Sequence, residues 1–162
     1  MKNNFFNSLA LLSILGMAIA CTKENNTRQY KQQISLRADG VLFTVNTGGA
    51  DVEEADAHIN SGRFQLDATT STKDFSINKQ SVNDLGTYNV AGSVLDFAQW
   101  EDGSLLFSSI GSSRSHLQFT ITEKRETSSG YYMVAGNFSG VLYNITQTDS
   151  VIITNGSIEF ID

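Results

Sequence analysis

The chain has 162 residues, with 11 basic and 17 acidic side chains, a net charge of −6 and a charged fraction of only 17%. That acidic balance excludes the basic footprint on which nucleic-acid binding rests, and it disfavours docking on anionic lipid. A lone cysteine at position 21 rules out an intrachain disulfide, and the absence of proline leaves the turns to Gly, Asn, Asp and Ser.

In chain order, the first element is Phe5 to Ala20, a mostly apolar run interrupted by Asn7, Ser8, Ser13 and Gly16 and preceded by Lys2. A bilayer-spanning helix needs about 20 apolar residues. This run is shorter and has the size of a signal-peptide h-region. Its end, Ala18-Ile19-Ala20-Cys21, resembles the lipobox of bacterial lipoproteins, with Ala18 where that pattern more often has leucine. The resemblance implies a lipoprotein signal peptide over residues 1–20, cleavage before Cys21, a diacylglyceryl thioether on Cys21 and acylation of the new amine, for example by palmitate. Two acyl chains already hold a protein stably on a membrane, so three would fix it there. An ordinary secretory peptide cut after Ala-Ile-Ala is the alternative, but it leaves an unpaired thiol in an oxidising compartment. Apart from the covalent lipid, no cofactor is expected.

Thr22 to Lys31 is polar and aperiodic, so residues 21–31 read as a lipidated cysteine and its tether. Ten such residues reach about 33 Å fully extended and average about 17 Å as a coil. Thr22 is not the aspartate that marks inner-membrane retention. Lys23-Glu24 is similar to the charged tract that sends some Bacteroidota lipoproteins to the cell surface. Both resemblances imply an outer-membrane or cell-surface location.

Residues 32–162 form the expected folded domain, where alternation with period two recurs almost without a break. Ile34 and Leu36 precede an Asp39-Gly40 turn, and Val41, Phe43 and Val45 follow it, which predicts a hairpin. Ala50 to Ala57 is acidic and alanine-rich and reads as one helical turn or a loop. Ser61-Gly62 predicts a second hairpin between His58-Ile59 and Phe64-Leu66-Ala68. Strands follow at Phe75-Ile77 and Gly86–Val90. A third hairpin is expected across Glu101-Asp102-Gly103, between Val94–Trp100 and Leu105–Ile110. Leu117, Phe119 and Ile121 mark a long strand. Tyr131 to Tyr143 reads as a central one, with both faces apolar over Tyr131–Ala135. Val151, Ile153, Ile158 and Phe160 close the domain. About ten strands with glycine-bearing turns predict an all-β, antiparallel two-sheet sandwich, with a closed β-barrel as the alternative architecture.

The stretch Val134-Ala135-Gly136-Asn137-Phe138-Ser139-Gly140, with Ser150 to Ser157 and the earlier Ala38–Phe43, resembles the C-terminal hairpin of small Bacteroidota lipoproteins. Those proteins carry a β-sandwich domain of unknown function, so the resemblance implies fold and location alone.

Candidate site residues are few. Asp51, Glu53, Glu54 and Asp56 with His58 form the densest set of hard ligands. On a helical turn Asp51 and Glu54, and likewise Glu54 and His58, would share a face. The DxDxDG spacing and glycine of a calcium loop are missing, so no metal is expected. Ser115 beside His116 does not make a nucleophile–base pair, because adjacent strand residues face opposite ways. Glu101, Asp102 and Asp96 give no paired-carboxylate geometry that sequence can place. Trp100, at the end of an aromatic-bearing strand beside Glu101-Asp102-Gly103, is either a sugar-stacking platform extended by Tyr131, Tyr132 or Tyr143 or a plug for the core.

These features predict a monomeric, lipid-anchored envelope protein that binds and does not catalyse, a glycan- or ligand-binding accessory module. The alternative is a structural protein that pairs with another envelope component through an edge strand or loop face.

Overall fold

The computed structural model describes residues 31–47 and 53–161. Cys21 and the lipobox residues Ala18, Ile19 and Ala20 lie outside the described residues, as does Asp51. Among the described residues there are eleven strands: β1 Lys31–Ala38, β2 Val41–Asn46, β3 Glu54–Asn60, β4 Arg63–Thr69, β5 Lys73–Gln80, β6 Gly86–Asn89, β7 Phe97–Asp102, β8 Leu105–Ser108, β9 His116–Glu126, β10 Tyr132–Asn144 and β11 Ser150–Ile161.

The hairpins form where turn chemistry places them. Asp39 and Gly40, and again Ser61 and Gly62, take positive φ. This is the two-residue turn whose twist matches the flanking strands. The third hairpin turns at Gly103-Ser104, starting two residues later than expected. Glu101 and Asp102 stay in β7, opposite Leu106 and Leu105, and Gly103, at φ 61, leads the turn.

All pairings are antiparallel. Hydrogen bonding runs β2-β1-β11-β10-β3-β4-β5-β7-β8, with β9 and then β6 added on the other edge of β10. Rings from two facing layers meet in the core. Phe43 of β2 is 5.1 Å from Trp100 of β7, Phe75 of β5 stacks on Phe138 of β10 at 5.0 Å, and Phe64 of β4 stacks on Phe119 of β9 at 4.4 Å. The body is thus a sandwich in which β2-β1-β11-β10-β9-β6 faces β3-β4-β5-β7-β8.

The long strand β10 ties the layers together at its two ends. Tyr132 and Met133 pair with Ile59 and His58 of β3, while Tyr143 and Asn144 pair with Ser108 and Phe107 of β8. Tyr132 packs on the core beside Ile59, while Met133 and Ala135 on the outer face are only half-buried, so the expected full cover on both faces is absent there. Two glycines let β9 cross β10 closely: a Cβ on Gly136 would lie 2.1 Å from the Thr120 carbonyl, and one on Gly140 would lie 2.2 Å from that of His116.

The edge of β3 shows how the sandwich closes where β10 runs out. A two-residue turn after Asn60 makes Asn60–Arg63, His58–Gln65 and Asp56–Asp67 the hydrogen-bonded pairs, so Ala55, Ala57 and Ile59 present their backbone groups outward. Ile59 pairs with Tyr132 of β10. Ala57 receives the side chain of Gln32, whose Nε2 donates to the Ala57 carbonyl at 2.7 Å and whose Oε1 accepts from the Ala57 N–H at 2.7 Å. Thr47 Oγ1 lies 2.7 Å from the Ala55 carbonyl. One buried amide therefore does the work of a missing strand. At the opposite corner the Ser115 hydroxyl donates to the Ser108 carbonyl at 2.9 Å and accepts from the Tyr143 N–H at 2.8 Å.

Candidate functional site

The structure decides between the two roles of Trp100 and corrects the reading of the acidic tract. Trp100 is only 3% exposed. It is packed edge-on against Phe43, with Lys73 Nζ 5.6 Å from its ring centroid and bonded to Asp102 at 2.6 Å. The exposed stacking platform is therefore not formed at Trp100, which plugs the core because its even-numbered position on β7 faces inward with Ala98. The acidic, alanine-rich tract is not a helical turn from Glu54 onward but strand β3. Ala55, Ala57 and Ile59 are buried while Glu54, Asp56 and His58 share the outer face. With Asp51 outside the described residues, the helical pairing of Glu54 and His58 loses its premise, and among the described residues no three His, Cys, Asp or Glu side chains are grouped to hold a metal ion. Ser115 is committed to the backbone contacts above, and the His116 ring is exposed.

What the strand does bring together is His58, Asp56 and Tyr131. His58 Nδ1 lies 2.8 Å from Asp56 Oδ2. A carboxylate only accepts, so Nδ1 carries the proton and Nε2 is left outward. Tyr131 stands 5.3 Å from the imidazole, ring to ring. The Asp56 hydrogen bond is the main cause that raises the His58 pKa above its ordinary value. The charges of Asp56 and Asp67 add to it, while burial and Arg63 oppose it.

Beside His58 opens the largest cleft described, about 630 Å³, at the end of the layer formed by the β3–β4 turn and the chain leaving β5. Its walls include His58, Asn60, Arg63, Gln65, Gln80 and Asn83, with Ser61 and Ser81 in the turns. Cross-strand register builds it: Asn60, Arg63 and Gln80 lie in one row across β3, β4 and β5, and His58, Gln65 and Asn78 in the next. The turn is clasped in place. The Gly62 carbonyl accepts from Val82 N–H at 2.8 Å, and Val82 is fully buried. Lys124 Nζ donates to the Asn83 carbonyl at 2.8 Å. Arg63 is oriented by its Nε, which donates to Oδ1 of the buried Asn78 at 2.9 Å. Among the described residues, its two terminal nitrogens and His58 Nε2 have no hydrogen-bond partner.

Further along the same outer face, acids replace amides. Asp56 faces Asp67, and Asp74 faces Glu101. Burial raises the Asp74 pKa above its usual value, with the charges of Asp67 and Glu101 adding and the Thr69 hydroxyl opposing.

At the opposite end of the sandwich the turn tips are apolar. Val41, Leu42, Leu105 and Ile152 are more than half exposed, and Ile145 is 92% exposed. A second groove of about 270 Å³ runs between the first three and Ser150. The strand directions put this rim at the Ala38 end of β1, away from Lys31 where the chain enters. The His58 cleft opens at the Lys31 end, because His58 and Ile59 pair with the first residues of β10.

The polar cleft was not anticipated from sequence. Alternation through His58–Leu66 marks Asn60, Arg63 and Gln65 as outward residues, but nothing local says that Gln80 and Asn83 will stand beside them. Set against known proteins, the chain finds no matching family model, no matching curated protein and no matching solved structure.

Proposed function

We propose that this chain is a lipid-anchored cell-envelope protein, of the small Bacteroidota lipoprotein kind, that takes a hydroxyl-rich ligand, a glycan, into the cleft at the β3–β4 turn. The observation that supports this is the composition of the cleft wall: four carboxamide side chains, two hydroxyls, a fixed guanidinium and an oriented imidazole on a rigid sheet. Amides both donate and accept, which is what a sugar's hydroxyls require of a site. Preset donors and acceptors also lower the cost of ordering on binding. Tyr131 packs ring to ring against His58 but lines the neighbouring pocket beside Asp56 and Met133, not the cleft itself. The test is a glycan array probed with the purified protein and with an Asn60→Ala, Asn83→Ala double variant. Retention by the wild type and loss in the variant is expected, and no retention by either overturns the reading. The anchor is tested separately by labelled palmitate, which should enter the wild type and not Cys21→Ser.

The apolar rim supports a second reading, a protein that docks on another envelope component through the turns at Val41, Leu105 and Ile145. Those tips lie at the end remote from Lys31, the start of β1, where a partner anchored elsewhere in the envelope would have access. Crosslinking in intact cells that traps one stoichiometric partner at Leu42, and none near Asn60, would favour this reading over the first.

A further inference from the structure

The cleft has a property that its amides alone do not give it. The chain carries 17 acidic and 11 basic side chains, and carboxylates crowd the same outer face at Asp56, Asp67, Asp74 and Glu101. Yet among the described residues no carboxylate lines the cleft, and the only two ionisable groups there, Arg63 and His58, are both of the cationic type. Both are also held. Asn78 is buried and fixes Arg63 through Nε, which leaves the paired terminal nitrogens as a fork without a partner among the described residues. Asp56 holds the Nδ1 side of the imidazole, which leaves Nε2 unpartnered on a side chain that lines the cleft. A guanidinium fork matches a planar carboxylate in two parallel hydrogen bonds, and such charge-assisted pairs are about twice as strong as neutral ones.

Resting on the binding function proposed above, we infer that the ligand is an acidic saccharide, whose carboxylate is held by Arg63 and His58 while the surrounding amides read its hydroxyls. The groups facing His58 are Asp56 on β3, Arg63 and Asp67 on β4, and the Tyr131 ring. The first and third favour its protonated form and Arg63 opposes it, so capture of the anion strengthens as pH falls through the imidazole's range. Protonated Nε2 then donates, where neutral Nε2 only accepts.

The test compares matched pairs on the full chain: oligogalacturonate against its methyl ester, and a sialylated glycan against the same glycan without sialic acid, at pH 5.5 and pH 8. The acidic member of a pair should bind about tenfold or more tightly, more so at the lower pH. Arg63→Gln should remove that preference, and Arg63→Lys should restore part of it. Unchanged circular dichroism would show that these exposed substitutions leave the fold alone. Equal binding of acidic and neutral partners, or an acidic preference that survives in Arg63→Gln, overturns the inference and leaves the glycan reading standing. No binding to either member in any pair overturns the inference, and the glycan array decides the reading on which it rests.

Discussion

Replacing Gln32 with leucine keeps the volume at the corner between β1 and β3 and deletes both hydrogen bonds that serve Ala57. Gln32 is 2% exposed and Ala57 is fully buried, so no water takes over. The Ala57 N–H and C=O are then a buried donor and a buried acceptor without partners, each costing about 1–3 kcal/mol. The sum, about 2–6 kcal/mol, is a large share of the roughly 5–15 kcal/mol that holds a domain of this size together. Urea denaturation should show the midpoint falling with little change in slope. Gln32→Glu sharpens the test. Its ionised carboxylate still accepts from the Ala57 N–H but faces the Ala57 carbonyl with a second acceptor. The variant should therefore be as unstable as leucine at pH 7 and should recover part of the loss near pH 4, where the protonated acid donates again. A Gln32→Leu protein within about 0.5 kcal/mol of wild type, the range of an ordinary surface change, would refute the idea that this amide replaces a strand.

Other substitutions probe other parts of the fold. Trp100→Ala should cost about 3–5 kcal/mol by leaving a cavity between Phe43 and Phe75, measured by thermal unfolding. Gly156→Ala should destabilise by about 1–3 kcal/mol, because its Cβ would sit 2.3 Å from the Phe138 ring; a neutral result would mean that β10 and β11 can part freely. The folded-state pKa of His58 is raised, so its contribution to stability is fully present below the unfolded value near 6.5 and is lost as pH rises through the folded one. Wild type should therefore lose more stability between pH 6 and pH 8 than Asp56→Asn does, and parallel pH profiles would contradict the pairing. The raised Asp74 has the same sign, but its window lies nearer the ordinary aspartate range and leaves the interval from pH 6 to pH 8 to His58.

Much of the fold was legible because its signals are local. Asp39-Gly40 and Ser61-Gly62 carry the positive φ that two-residue hairpins demand, and the alternation at Phe64-Leu66-Ala68 or Leu117-Phe119-Ile121 can be satisfied only by a strand with one buried face. The tract Glu54–Ala57 was illegible for the opposite reason. Its inward residues are two alanines, and acids and alanine are weak strand formers, so this half of the strand exists by virtue of its neighbours β4 and Gln32. Trp100 was legible only as a choice between two roles, since position within a hairpin does not say which face a layer will cover. The cleft was hidden because Arg63 and Asn83 are brought together by register across β4 and β5 and by the anchoring of Val82, not by any spacing along the chain.

The most direct measurement is an amide chemical-shift titration of the full chain with oligogalacturonate. Binding in the cleft predicts saturable shifts at Asn60–Gln65 and Gln80–Asn83, abolished in Arg63→Gln. Shifts confined to the rim at Val41, Leu42 and Leu105, or no shifts at all, would contradict it.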